Sequence, residues 1–200
     1  MKNTVLEYER NYNDEDYLKV SLGMEKTHPQ LQIQLKLDEL KTKPDILEDE
    51  AKAIQREFSV IEKPVVIDLK KAHLGLVGEK SVIHEQIKAL ICQLTFFHSY
   101  HDLEIIAIYD EVYQEDFQWM RWYPHFKIHT VNSIAMINSE NKRDQILGSL
   151  YQILKDRKQK EEESKKESTF LPHFLFLIDE PKWIMDHSIM EYLEKEGYNL

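Results

Sequence analysis

Leu74-Gly75-Leu76-Val77-Gly78-Glu79-Lys80-Ser81 reads as a strand, a short turn and the start of a helix. The pattern that follows, Ser81 to Tyr100, places Val82, Ile83, Ile87, Leu90, Ile91 and Leu94 on one helical stripe. Outward from this stretch the alternation repeats. Val65 to Leu69, Leu74 to Val77, Leu103 to Tyr109, Ile134 to Ile137 and Phe174 to Ile178 are short apolar runs of strand type. Between and after them, Asp116 to Trp122, Arg143 to about Glu163 and Ile184 to Glu196 carry helical spacing. Apolar strands alternating with longer helices are the signature of β-α-β units around a parallel sheet, so the reading predicts an α/β fold.

Upstream the pattern differs. Tyr17, Leu18, Val20 and Leu22, then Leu31, Ile33, Leu35 and Leu37, recur at or near period two, predicting two strands joined by Gly23 to Pro29. Asp45 to Phe58 is helical, and Pro64 ends the connection. The expected organisation is therefore an N-terminal β-hairpin and helix extension over residues 1–62 and an α/β domain over 63–200.

The strand-turn-helix stretch is where a phosphate-binding loop belongs, and Lys80-Ser81 supplies its Lys-[ST] ending. The loop itself is incomplete. Such loops need glycines at fixed offsets so that backbone N–H groups can approach the anion, and Leu74 and Glu79 stand where two of them should be. His73 likewise replaces the first glycine of the dinucleotide pattern, and the chain has only five glycines in 200 residues. A Glu79 carboxylate would repel a phosphate by about a kcal/mol or more at close range. The expectation is a vestigial phosphate loop at Gly75, Gly78, Lys80 and Ser81, with the glycines allowing tight packing and a left-handed turn and Ser81 capping the helix.

Phe174-Leu175-Phe176-Leu177-Ile178-Asp179-Glu180 ends an apolar strand in two carboxylates. In ATPases the first acid at this place orients magnesium through water and the second polarises the attacking water. Beside a failed loop, Asp179 and Glu180 read as inherited architecture. His98, His101 and Asp102 could offer a metal three ligands, but at a helix end they fit local hydrogen bonding better, and no metal site is expected. No catalytic residue is assigned: a nucleophile elbow is absent, and His84-Glu85 is followed by no second histidine at metalloprotease spacing. Trp119, Arg121, Trp122 and Tyr123 concentrate aromatics and an Arg in one short element, the composition of a protein-interface anchor or of two tryptophans covering the sheet edge as core, with one indole expected buried and one contact-forming.

The chain has 26 basic and 36 acidic residues, a formal charge of −10, which disfavours nucleic acid and anionic membrane partners. Cys92 is the single cysteine, so no intrachain disulfide is possible and a reducing compartment fits. No apolar run approaches a membrane span. The mixed-charge stretch Lys155 to Ser168 reads as exposed helix with i,i+4 pairs such as Glu161 with Lys165.

Several stretches together resemble the FtsK/SpoIIIE-type ATPases of type VII, or ESX, secretion systems, the EssC and EccC proteins. They are Asp16-Tyr17-Leu18-Lys19-Val20-Ser21-Leu22-Gly23, Pro64-Val65-Val66-Ile67-Asp68-Leu69, His73 to Gly78, Leu94 to Asp102, Trp119 to His125, Arg143 to Tyr151 and Leu171-Pro172-His173. The resemblance implies a membrane-proximal, degenerate ATPase-like domain preceding tandem ATPase modules, with a Rossmann-like fold of the phosphate-loop ATPase type, excised from a larger membrane-anchored protein. It implies a non-hydrolysing unit at the cytoplasmic face of the membrane that couples the anchor to the downstream modules. Partners would be those modules, type VII membrane components and neighbouring protomers, with no nucleic acid and no membrane insertion by this segment. No cofactor is expected here, ATP and magnesium belonging to the other modules. The competing reading is a divergent Mg-dependent nucleoside triphosphatase using Lys80, Ser81, Asp179 and Glu180.

Overall fold

A computed structural model describes residues 10–29, 46–164 and 169–193 of the chain. The chain divides into two compact units, one of residues 20–67 and one comprising the remainder.

In the smaller unit, β1 (Lys19–Thr27) pairs with β2 (Ile61–Asp68) in a two-stranded sheet, and α1 (Ile46–Glu57) lies between them in sequence. The helix falls where the sequence pattern predicts it. Its first turn carries Glu48 and Asp49 and its last Arg56, each sign complementing the helix dipole at that end. The second strand expected at residues 31–37 lies outside the described residues.

The larger unit is α/β. Its elements are α2 (Lys80–Phe97), β3 (Leu103–Ile108), α3 (Gln114–Phe117), β4 (Lys127–Ile128), β5 (Ser133–Ile134), β6 (Met136–Ile137), α4 (Glu140–Ser164), β7 (His173–Ile178) and α5 (Met190–Leu193). A three-stranded sheet in the order β6-β3-β7 is parallel throughout. β3 is central and all six of its residues are buried, which is why it reads as an almost continuous apolar run rather than an alternation. Ile106 and Ile108 join Ile146, Leu147, Leu150 and Leu154 of α4, together with Ile137, Phe174, Ile184, Ile189 and Tyr192, in one core cluster. Each such side chain contributes about 1.5–3 kcal/mol by leaving water. Of the stripe that the spacing of α2 predicts, Ile87, Leu90, Ile91 and Leu94 are buried, whereas Ile83 is half-buried and Val82 is exposed in the first turn of the helix.

The one charge on β3, Glu104, is only 1% exposed. Its Oε1 accepts from the His129 backbone N–H at 3.0 Å and from Nδ1 of the same ring at 2.9 Å. Arg157 of α4, also buried, donates to the Pro172 carbonyl at 2.7 Å and stacks over Phe174. Burial pushes its guanidinium down to about 10, against the opposing charge of Glu104.

Five sequence expectations are corrected. Leu74 to Val77 is not a strand: residues 72–79 are irregular, and Val77 is fully exposed. Gly75 and Gly78 take no left-handed turn, since Gly23 is the glycine with positive φ among the described residues. Nor do they mediate close packing: an added Cβ at Gly75 meets open space, and at Gly78 only Ile83 Cγ1 at 4.0 Å. Ser81 does not cap α2. The N-cap is Glu79, which makes no side-chain capping bond, and Ser81 Oγ donates to the Glu79 carboxylate at 2.9 Å. The pattern from Ile184 to Glu196 is helical only over Met190–Leu193 among the described residues; the Ile189 N–H bonds the His187 side chain at Nδ1, 3.1 Å away, a local alternative to helix.

Candidate functional site

The β3–β7 register sets Ile108 beside Ile178, so the residues following both strands emerge together at the carboxyl edge of the sheet. Asp179 and Glu180 donate their backbone N–H groups to the Ile108 carbonyl at 2.8 and 3.3 Å. This draws the end of β7 against the Tyr109-Asp110 turn. In open α/β sheets the crevice outside the carboxyl ends of the strands is the usual ligand site.

Lys80, the first residue of α2, reaches this edge. Its Nζ donates to Asp179 Oδ1 at 2.6 Å and lies 5.1 Å from the Tyr113 ring centroid. The Asp179 side chain is 4% exposed, whereas that of Lys80 is 48% exposed. One helical turn on, the buried His84 ring lies between two carboxylates: Nδ1 is 3.1 Å from Asp116 Oδ2 and Nε2 is 3.5 Å from Asp179 Oδ1. Tyr113 and Phe117 meet the same ring edge-on, at centroid distances of 5.0 and 4.9 Å. The second Asp179 oxygen, Oδ2, is buried without a hydrogen-bond partner among the described residues.

A second ion pair flanks the first. Lys182 Nζ lies 2.5 Å from Asp110 Oδ2 and 3.7 Å from Glu180 Oε2. The Lys182 hydrogen bond, with that of the Val112 N–H, holds Asp110 below the usual carboxylate range. The Asp110 hydrogen bond in turn raises Lys182 above the ordinary lysine value. Asp110 Oδ1 also accepts the Val112 N–H at 3.1 Å and so caps the short 3-10 turn after β3.

The fold thus joins two distant predicted residues, Lys80 and Asp179, and sets Glu180 beside them. Gly75, Gly78 and Ser81 do not contribute: the two glycines lie in exposed irregular chain, and the Ser81 hydroxyl is turned to Glu79. The sequence reading missed His84, Asp110 and Lys182. Available signals were the four-residue spacing of Lys80 and His84, and the acid ending both Ile108-Tyr109-Asp110 and Ile178-Asp179.

The aromatic element follows α3 as a 3-10 turn, Gln118–Trp122. Trp119 is half-buried; its indole N–H donates to the Asp116 carbonyl at 2.7 Å, and Tyr123 packs against its ring edge-on at 5.7 Å. Met120 anchors the turn in the core at 0% exposure. Trp122 is 80% exposed, with the Arg121 guanidinium 5.4 Å from its ring centroid. His98 is engaged in local hydrogen bonds, and among the described residues no group of three or more His, Cys, Asp and Glu side chains is placed to hold a metal. No helix of the described residues is long and apolar enough to cross a membrane.

This α/β unit, with a lysine at a helix start and an acid at a strand end, is homologous to a segment of the secretion proteins of the ESX, or type VII, class. Its counterparts there are EccC, YukB and EssC. The chain is 34% identical over 195 residues to ESX secretion system protein YukB of Bacillus subtilis and 32% identical over 195 residues to ESX secretion system protein EccC of Geobacillus thermodenitrificans. It is 31% identical over 193 residues to type VII secretion system protein EssC of Staphylococcus aureus. These matches cover 94–96% of the chain but only 13% of each relative's length. No family model matches the chain.

Proposed function

We propose that the chain is a degenerate, Rossmann-like ATPase-like domain of a type VII secretion motor, a coupling unit that does not hydrolyse nucleotide. The observation that carries this reading is the 2.6 Å pair between Lys80 and the buried Asp179. In a working phosphate-loop enzyme the lysine reaches the β- and γ-phosphates and the acid helps hold magnesium. Here each group neutralises the other. The remaining residues do not fit a nucleotide either: Gly75 and Gly78 lack the left-handed backbone that would gather N–H groups into an anion cradle, and the Glu79 carboxylate stands at the N-terminus of α2. Residues 63–200 therefore act as a structural module, preceded in the chain by the extension 1–62.

The partners are other modules of the same protein, type VII membrane components and neighbouring protomers, met at the cytoplasmic face of the membrane. The Trp119–Tyr123 element supplies the contact. Trp122 and Arg121 offer exposed aromatic and guanidinium groups on a turn fixed by the buried Met120.

The test uses the full-length secretion protein. Arg121→Ala with Trp122→Ala is expected to lower export severalfold while leaving nucleotide turnover of the whole protein unchanged, and Asp179→Asn is expected to leave turnover unchanged. Turnover that falls with Asp179→Asn would instead support hydrolysis at Lys80, Ser81, Asp179 and Glu180. Unimpaired export in the double variant would remove the aromatic element from the account.

A further inference from the structure

Residues 10–19 form a strap across the C-terminal end of α2. The Arg10 N–H donates to the Phe97 carbonyl at 2.7 Å, and its guanidinium lies 4.3 Å over the Phe97 ring. The same guanidinium pairs with Asp16 at 2.9 Å and donates to the Lys19 carbonyl at 2.8 Å. Tyr17 is buried and its hydroxyl donates to the Asp102 carbonyl at 2.8 Å.

The next residue is strained. Leu18 is wholly buried and has φ +57°, a left-handed conformation that is unfavourable for a side-chain-bearing residue. Two bonds hold it there. Its carbonyl accepts the Leu69 N–H at 3.1 Å, and its own N–H donates to Nε2 of His98 at 3.0 Å. The His98 Nδ1–H donates to the Leu94 carbonyl at 2.9 Å, so the ring is the neutral tautomer with its lone pair on Nε2. A proton on that nitrogen would set two donors against each other at the same distance and leave the buried Leu18 N–H unpaired.

We propose that His98 is a proton-operated latch: the neutral ring holds the strap in its strained turn at Leu18, and proton uptake at Nε2 releases it. The groups facing the ring are few. From the strap come Arg10, Asp16 and the Tyr17 ring, edge-on at 5.1 Å; from α2 the Leu94 carbonyl; and from the 3-10 turn Pro124–Phe126 His125, whose Nε2–H donates to the His98 carbonyl at 2.8 Å. Beyond Tyr17 stand Tyr12, Lys70, Asp102 and His173. Burial, then Arg10 and His125, hold His98 below the ordinary histidine value of 6.5, while the Leu94 bond and Asp16 favour the proton. The closed strap therefore keeps the ring neutral, and opening takes up a proton. As pH falls below about 6.5, the open population is expected to grow by up to tenfold per pH unit until the closed form itself titrates.

The experiment is amide hydrogen exchange of the 200-residue chain, with Leu18 followed from pH 7.5 to 5.5 after correction for intrinsic exchange. Protection at Leu18 is expected to fall about tenfold over this range and to stay below that of the core amides of Ile105 and Ile106 at every pH, because opening the strap does not need the core to unfold. His98→Gln keeps an acceptor that does not titrate, and its Leu18 protection should be independent of pH over this range. Leu18 protection equal to that of the core at every pH would mean that the strap is released only by global unfolding and would overturn the proposal. So would unchanged protection in the wild type, or the same acid dependence in His98→Gln. If that variant does not fold, the wild-type His98 ring nitrogens can be titrated by NMR, and a ring titration that does not coincide with Leu18 release also overturns it.

Discussion

Replacing Lys80 by Met removes one half of an unequal pair. The Asp179 carboxylate that remains is 4% exposed, with His84 Nε2 at 3.5 Å from Oδ1 and Oδ2 without a hydrogen-bond partner among the described residues. Breaking a fully buried pair in this way costs about 3–5 kcal/mol. Lys80 is half-exposed, so water screens the site and the expected loss is about 2 kcal/mol. For a chain of this size that lowers Tm by about 4–8 °C. The reverse change, Asp179→Asn, leaves Lys80 free to return to water and removes the buried charge, so its cost is about 1 kcal/mol or less. With no carboxylate left, adding Lys80→Met should cost almost nothing more, and the double variant should be about 2 kcal/mol more stable than the two single losses sum to. Urea unfolding of the four proteins measures this coupling. Additive losses, or a Lys80→Met cost below about 0.5 kcal/mol, would refute the argument that the pair closes the site.

Other outcomes follow from the same geometry. Burial holds both His98 and His125 below 6.5, so the unfolded chain takes up protons before the folded one does. Stability should be level above pH 6.5 and fall as pH drops from there toward the folded-state values, read as a lower urea midpoint at pH 5.5 than at 7.5; a higher midpoint in acid would contradict it. Gly75→Ala and Gly78→Ala should be neutral or stabilising by up to about 1 kcal/mol, since the new methyl meets no close contact; a Tm drop of several degrees would restore the special turn that the sequence suggested. Trp122→Ala should shift stability by no more than about 0.5 kcal/mol, because the ring is 80% exposed, and a larger loss would mark it as core.

The parts of the fold legible in the sequence are those whose burial is periodic. β3, β7, α2 and α4 fall within a few residues of their expected positions because each commits one stripe, or both faces, to the core; α1 falls in place on its helical spacing although none of its residues is buried. Leu74 to Val77 misled because its apolar residues are not buried together: Leu74 and Leu76 are half-covered and Val77 is wholly exposed. The stretch from Ile184 failed for a local reason, a side-chain acceptor at His187 that competes with the helical ladder. The paired two-residue strands β4 and β5 are too short to carry a period at all.

At the site, Lys80, Asp179 and Glu180 were legible because motif position alone selects them. Their condition was not, because the 2.6 Å contact spans 99 positions in sequence and depends on the parallel register of β3 and β7. His84 escaped notice since it fits no catalytic spacing; only the fold sets its ring between Asp116 and Asp179. The strap was likewise hidden, because nothing in Tyr17-Leu18-Lys19 signals a left-handed leucine held by a histidine 80 positions away.

The central claim is that Lys80 and Asp179 are spent on each other. Titration calorimetry of the 200-residue chain with Mg-ATP tests it most directly. The account predicts no saturable heat below about millimolar nucleotide, a binding free energy weaker than about −4 kcal/mol. A micromolar isotherm that disappears in Lys80→Ala would contradict it.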